Sequence, residues 1–127
     1  MARAWTRGFD PEDPVLARVV SAVEHLPQAY TAETWGICTL RIGRKLFGWF
    51  SGGLDDDGRR LVFKPAPSER DWLLSDARFH PAPHLRGWLE LNLDAVADWT
   101  EVRELLTDSY ALVAPAALAK HVGGRPA

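Results

Sequence analysis

The stretch WGICTLRIGRKLFGWFSGG, residues 35–53, limits the possible folds more than any other part of the chain. Its apolar residues recur at every second position on both sides of Gly43-Arg44, the pattern of two strands joined by a two-residue link. Glycine supplies the positive φ that the first position of a type II′ turn requires. Such a turn predicts Ile42 opposite Lys45, Leu40 opposite Phe47 and Cys38 opposite Trp49. Cys38, Leu40, Ile42, Phe47 and Trp49 then share the core side of the hairpin. Ile37, Thr39, Arg41, Leu46, Gly48 and Phe50 share a mixed outward side.

The remaining elements are set by periodicity and punctuation. In DPVLARVVSAVEHLP, Val15, Leu16, Val19, Val20 and Val23 fall at helical spacing. Asp13 is placed to cap the helix, Pro14 suits its first turn and Pro27 stops it. RRLVFKP predicts a third strand with Leu61 and Phe63 inward and Arg60, Val62 and Lys64 outward. SERDWLLSD predicts a short helix with Ser68 and Asp71 at capping-box spacing. In GWLELNLD, Leu89, Leu91 and Leu93 alternate with Trp88, Glu90 and Asn92, a half-exposed strand. DWTEVRELLTDSYALVAP predicts a long helix capped by Asp98 and Glu101 and ended by Pro115, with PAALAKHV docking behind it. The order α-β-β-β-α-β-α predicts a two-layer α+β domain, an antiparallel sheet with helices on one face.

A chain of 127 residues suits one domain, expected over residues 1–122 with a frayed tail at 123–127. With 46% hydrophobic and 25% charged residues its composition is globular. The single cysteine, Cys38, excludes an internal disulfide framework and a cysteine zinc cluster. No apolar run reaches the length of a signal peptide core or a membrane span, so the expectation is a cytoplasmic monomer with no membrane partner.

Few residues fit a catalytic pattern. His80 and His84 in FHPAPHLRGW have the spacing of a helical metal pair, but Pro81 and Pro83 bar a regular helix there. Extended, four residues span about 13 Å, too far to share one ion without a tight turn. Asp55, Asp56 and Asp57 resemble a calcium-loop fragment without the distal glutamate. Ser51 lacks the frame of a nucleophile elbow. No enzyme class, metal or cofactor is expected, and the FHPAPHLRGW loop is expected to be a proline-stiffened link anchored by Phe79.

Charge is the remaining signal. Between residues 35 and 65 stand Arg41, Arg44, Lys45, Arg59, Arg60 and Lys64 against the three aspartates, whereas residues 86–109 are mainly acidic. Arg41, Arg44, Lys45, Lys64 and Arg86, with Trp88 as a stacking residue, are the candidate nucleic-acid contacts: cations among aromatics on an open sheet suit phosphates and bases. A formal net charge of −2 sets a low ceiling on nonspecific affinity. The alternative is a protein-interaction or small-ligand module using the same half-apolar face.

In sequence, TWGICTLRIGRKLFGWFS, LVFKPAPSERDWLLSDARFHPAPHLRGWLELNLD and DWTEVRELLTDSYALVAP together resemble the MmcQ/YjbR family of small bacterial proteins, from about residue 12 to 119. The resemblance implies a YjbR-like fold related to the frataxin (CyaY-like) arrangement. It also implies DNA binding through two β-wings, here the Gly43-Arg44 turn and the 51–60 loop. Relatives often carry aromatic residues at the positions of His80 and His84, which implies a packing role for these rings.

Overall fold

The computed structural model describes residues 7–55, 57–83 and 85–122, so Asp56, His84 and the tail at 123–127 lie outside the described residues. Helix α1 (Pro14–Val23) leads into strands β1 (Ala29–Thr34), β2 (Ile37–Ile42), β3 (Lys45–Ser51) and β4 (Arg60–Phe63). Helix α2 (Arg70–Leu74), strands β5 (Phe79–Pro81) and β6 (Leu89–Asn92), and helices α3 (Trp99–Val113) and α4 (Ala116–Ala119) come next. The six strands form one antiparallel sheet in the order β1-β2-β3-β4-β6-β5. This is the expected α+β architecture, with two strands more than the sequence pattern predicts.

Both additional strands are edges. The Ala-Tyr-Thr-Ala-Glu-Thr run of β1 has no apolar face, because an edge strand here buries little of either side. What defines it is the turn after it: Trp35 and Gly36 have φ of 55° and 76°, the left-handed pair of a type I′ hairpin. Strand β5 lies inside the FHPAPHLRGW loop, so the expected link is a short strand with a turn after it. Pro81 sits at the sheet's outer margin, where its missing N–H costs no ladder bond. Phe79 anchors the strand as expected, buried and edge-on to Phe63 at 6.1 Å.

The largest correction lies in the hairpin. Pairing begins as expected, Ile42 opposite Lys45, and Arg41 faces Leu46. The register then shifts: Leu40 faces Gly48, Thr39 faces Trp49 and Cys38 faces Phe50. Phe47 is the extra residue of a β-bulge, a device that bends a strand and re-aims the residues beyond it. Gly48 and Phe50 therefore point inward and Trp49 outward, the reverse of the simple alternation. The bulge lets both Phe47 and Phe50 reach full burial. Gly48 is required where the layers meet, since a Cβ there would lie 2.8 Å from the Val62 carbonyl oxygen and 3.2 Å from Leu40 Cδ1.

Ser109 on α3 completes this arrangement. Its buried hydroxyl donates to the Phe47 carbonyl at 2.5 Å and accepts from the Lys64 N–H at 2.9 Å. Tyr110 packs edge-on against Phe47 at 5.6 Å and donates to the Pro27 carbonyl at 2.6 Å. Helices α1 and α3 thus cover the face carrying Leu40, Gly48, Phe50, Leu61, Phe63, Leu89 and Leu91.

Helix starts match the sequence only in part. Asp13 caps α1 through the Val15 N–H and Asp98 caps α3 through the Thr100 N–H, both at 2.9 Å. Glu101 does not close a capping box; its carboxylate accepts from Arg78 Nη1 at 2.7 Å and Nη2 at 3.0 Å. Helix α2 begins after Glu69 with no side-chain cap, so Ser68 and Asp71 form no box either. Hydrogen bonds from Arg78 hold the Asp76 carboxyl below its usual range.

Ser109→Ala leaves a buried carbonyl and a buried N–H unpaired, and should cost about 2–4 kcal/mol, read as a lower urea midpoint. A carboxyl whose folded pKa is depressed contributes stability above its unfolded value, near 4, that is lost as pH falls. The urea midpoint should therefore drop between about pH 5 and 3, and less steeply in Asp76→Asn.

Candidate nucleic-acid interface on the open sheet face

Among the described residues no helix covers the second face of the sheet. Cross-strand pairing places Ala32, Thr39, Trp49, Val62, Glu90 and His80 in one row across all six strands. A neighbouring row carries Tyr30, Arg41 and Leu46, and another carries Ser51, Arg60 and Asn92. The centre of the face is a tryptophan pair. Trp88, just before β6, stacks on Trp49 with ring centroids 6.0 Å apart and planes 26° from parallel. Val62 beside Trp49 is only 2% exposed although it points away from the helices.

Arg41 is held rather than free. Its Nε donates to Thr39 Oγ1 at 2.9 Å, its Nη2 donates to Thr34 Oγ1 at 3.2 Å, and its guanidinium lies 6.0 Å from the Trp35 ring centre. Thr39, fully buried, passes its own hydrogen to the Ala32 carbonyl at 2.6 Å. The network fixes a guanidinium beside the exposed Trp35 and against Thr39, the cross-strand neighbour of Trp49, with donors left over for an incoming acceptor. Tyr30, also exposed, donates to the Gly43 carbonyl at 2.6 Å and braces the hairpin turn.

The other sequence candidates surround this centre unevenly. Arg44 is exposed at the turn, and Lys45 is exposed beside Ile42, on the margin of the helix-covered side. Arg86 is exposed in the turn that delivers Trp88, where Gly87 has φ of 87°. Lys64 is half-buried one residue beyond β4. None of these four forms an ion pair among the described residues. Arg60, by contrast, is neutralised by Asp57 at 2.6 and 3.0 Å. The 51–60 loop is therefore internally paired, not a cationic wing.

Trp49, Trp35 and Tyr30 are the face residues that sequence reasoning did not select. Trp49 was concealed by the bulge, for which the glycine between two aromatics, Phe47-Gly48-Trp49, is the available signal. His80 is exposed on β5 opposite Glu90. Cys38 is buried and burial pushes its thiol pKa up, which suits an inert core residue rather than a nucleophile.

A two-layer α+β domain with one sheet face left open is the class of protein that this geometry defines. A model of the YjbR family matches residues 24–112, and the chain belongs to that family. The structure of protein DR2400 from Deinococcus radiodurans, which carries the DUF419 domain, superposes with a TM-score of 0.68 at 21% identity, over 87% of this chain and 88% of that one. That likeness establishes the shared fold. No curated protein matches the chain.

Replacing either Trp49 or Trp88 by alanine should abolish the exciton couplet that two stacked indoles give in circular dichroism. Trp49→Ala should also uncover Val62 and destabilise the fold by about 1–3 kcal/mol.

Proposed function

We propose that this protein is a non-catalytic binding module that holds single-stranded nucleic acid weakly on its open sheet face. The observation that carries the reading is the Trp49–Trp88 stack at the centre of that face, with the Arg41 guanidinium fixed beside it. Aromatic rings on an exposed sheet accept unstacked bases through their π-faces, whatever the sequence. Arg44, Lys45, Lys64 and Arg86, none of them in an ion pair among the described residues, are the phosphate contacts. A flat face suits a single strand better than a duplex groove, and the Asp57–Arg60 pairing removes the charge that a second DNA wing would need. Few free cations and a negative total charge account for low affinity.

A protein partner on the same face is the second reading, favoured by the exposure of Tyr30 and Trp35 on and beside the edge strand β1. Salt separates the two. Binding of a short oligo-dT, monitored by tryptophan fluorescence, should weaken with a log–log slope of about −2 to −3, for three or four phosphate contacts. Trp88→Ala should reduce affinity by at least about tenfold, and charge reversal at Arg44 and Arg86 should abolish binding. A flat salt response, or no binding at about 50 mM salt, removes the nucleic-acid reading.

A further inference from the structure

The opposite layer carries a second recess. Helices α1 and α3 run side by side in the same direction: Arg18 in the middle of α1 lies over Trp99 at the start of α3, and His25, just past α1, meets Thr107 midway along α3 at 2.9 Å through Nε2 and Oγ1. Between them is a shallow, open groove of about 430 Å³ lined by Ala17, Arg18, Ser21, Ala22, Trp99, Thr100 and Arg103. That volume falls in the range of small-molecule sites rather than of single-ion sites.

The sequence places the charge in this recess. On α3, Thr100, Arg103 and Thr107 are three and four residues apart and form one stripe. Glu101, Glu104 and Asp108 have the same spacing one position along and form another. Glu101 is turned toward Arg78, and Glu104 borders a separate hollow beside Trp72. The helix that reads as acidic in sequence therefore presents its hydroxyls and its arginine to α1. On α1, Arg18 and Ser21 answer them across a floor of Ala17 and Ala22. Neither Arg18 nor Arg103 forms an ion pair among the described residues. Of the carboxylates close by in sequence, Asp98 accepts from the Thr100 N–H and Glu101 from Arg78.

Arg18 is also preorganised. Its guanidinium carbon stands 4.7 Å from the Trp99 ring centre, a cation–π contact that holds the charge beside the groove. Arg18, Arg103, Ser21 and Thr100 line the groove as hydrogen-bond donors suited to oxygen acceptors, and Ala17, Ala22 and Trp99 line it with apolar surface.

From this geometry we infer that the α1–α3 groove is a binding site for a small organic oxyanion, a carboxylate or phosphate monoester attached to a flat apolar body. The site lies on the helical layer, away from the tryptophan pair, and does not depend on the sheet-face reading.

The test is an NMR titration of the full chain with phenyl phosphate and with benzoate, monitoring the Trp99 indole and the Thr100 and Arg103 amides. Saturable shifts with either probe are expected, together with at least tenfold weaker binding of inorganic phosphate and no binding of phenol. Arg18→Gln and Arg103→Gln, both at exposed positions, should each weaken binding roughly tenfold with unchanged melting temperature, and Trp88→Ala should leave it intact. The inference is overturned if neither probe saturates by about 10 mM, if inorganic phosphate binds as tightly as the aryl probes, or if the double arginine variant binds like the parent.

Discussion

The hydroxyl of Ser109 holds the two layers in register. Past Gly48 and Phe63 the β3–β4 pairing ends, and the Phe47 carbonyl needs a donor from elsewhere, since a buried carbonyl without a partner is costly. Ser109 supplies the donor from α3 and in return accepts the Lys64 N–H where β4 ends. One side chain thus closes the backbone of two strands and seats the long helix above Gly48, the residue that permits close approach. The burial of Phe47 and Phe50 and the outward turn of Trp49 all require the bulge in β3. The open face is in this sense a product of how the core is packed.

The sequence carried much of the fold because its strongest signals were local. Alternation in β2, β4 and β6, the helical stripes of α1 and α3, and their caps at Asp13 and Asp98 are each set by neighbours a few residues away. What escaped depends on contacts distant in the chain. Phe47, the extra residue, packs against Tyr110 and gives its carbonyl to Ser109, both more than sixty positions later in the chain. Strand β1 buries too little to show a pattern, and β5 is three residues long. Glu101 abandons its expected cap because Arg78, folded in from before β5, offers a bidentate partner.

The candidate sites show the same division. Trp88 was legible from its alternation with Leu89 and Leu91, but its partner Trp49 was not, because a single bulge inverts the parity of every residue beyond it. Charge was legible as totals and misleading as geography. The 51–60 segment looks basic in sequence, yet Arg59 and Arg60 are occupied by Asp13, Asp94 and Asp57. The long helix looks acidic, yet the flank it turns to α1 carries Arg103 and no carboxylate.

The two ends of the sheet are unlike. At one margin Pro81 interrupts a strand of three residues and cannot donate to a further strand. At the other, β1 runs for six residues with pairing on one side only, among the described residues. The β1 margin is therefore the better template for a further strand. Any edge-to-edge contact between two copies through β1 would leave the short, proline-ended margins outward, where further strands would find a poor template.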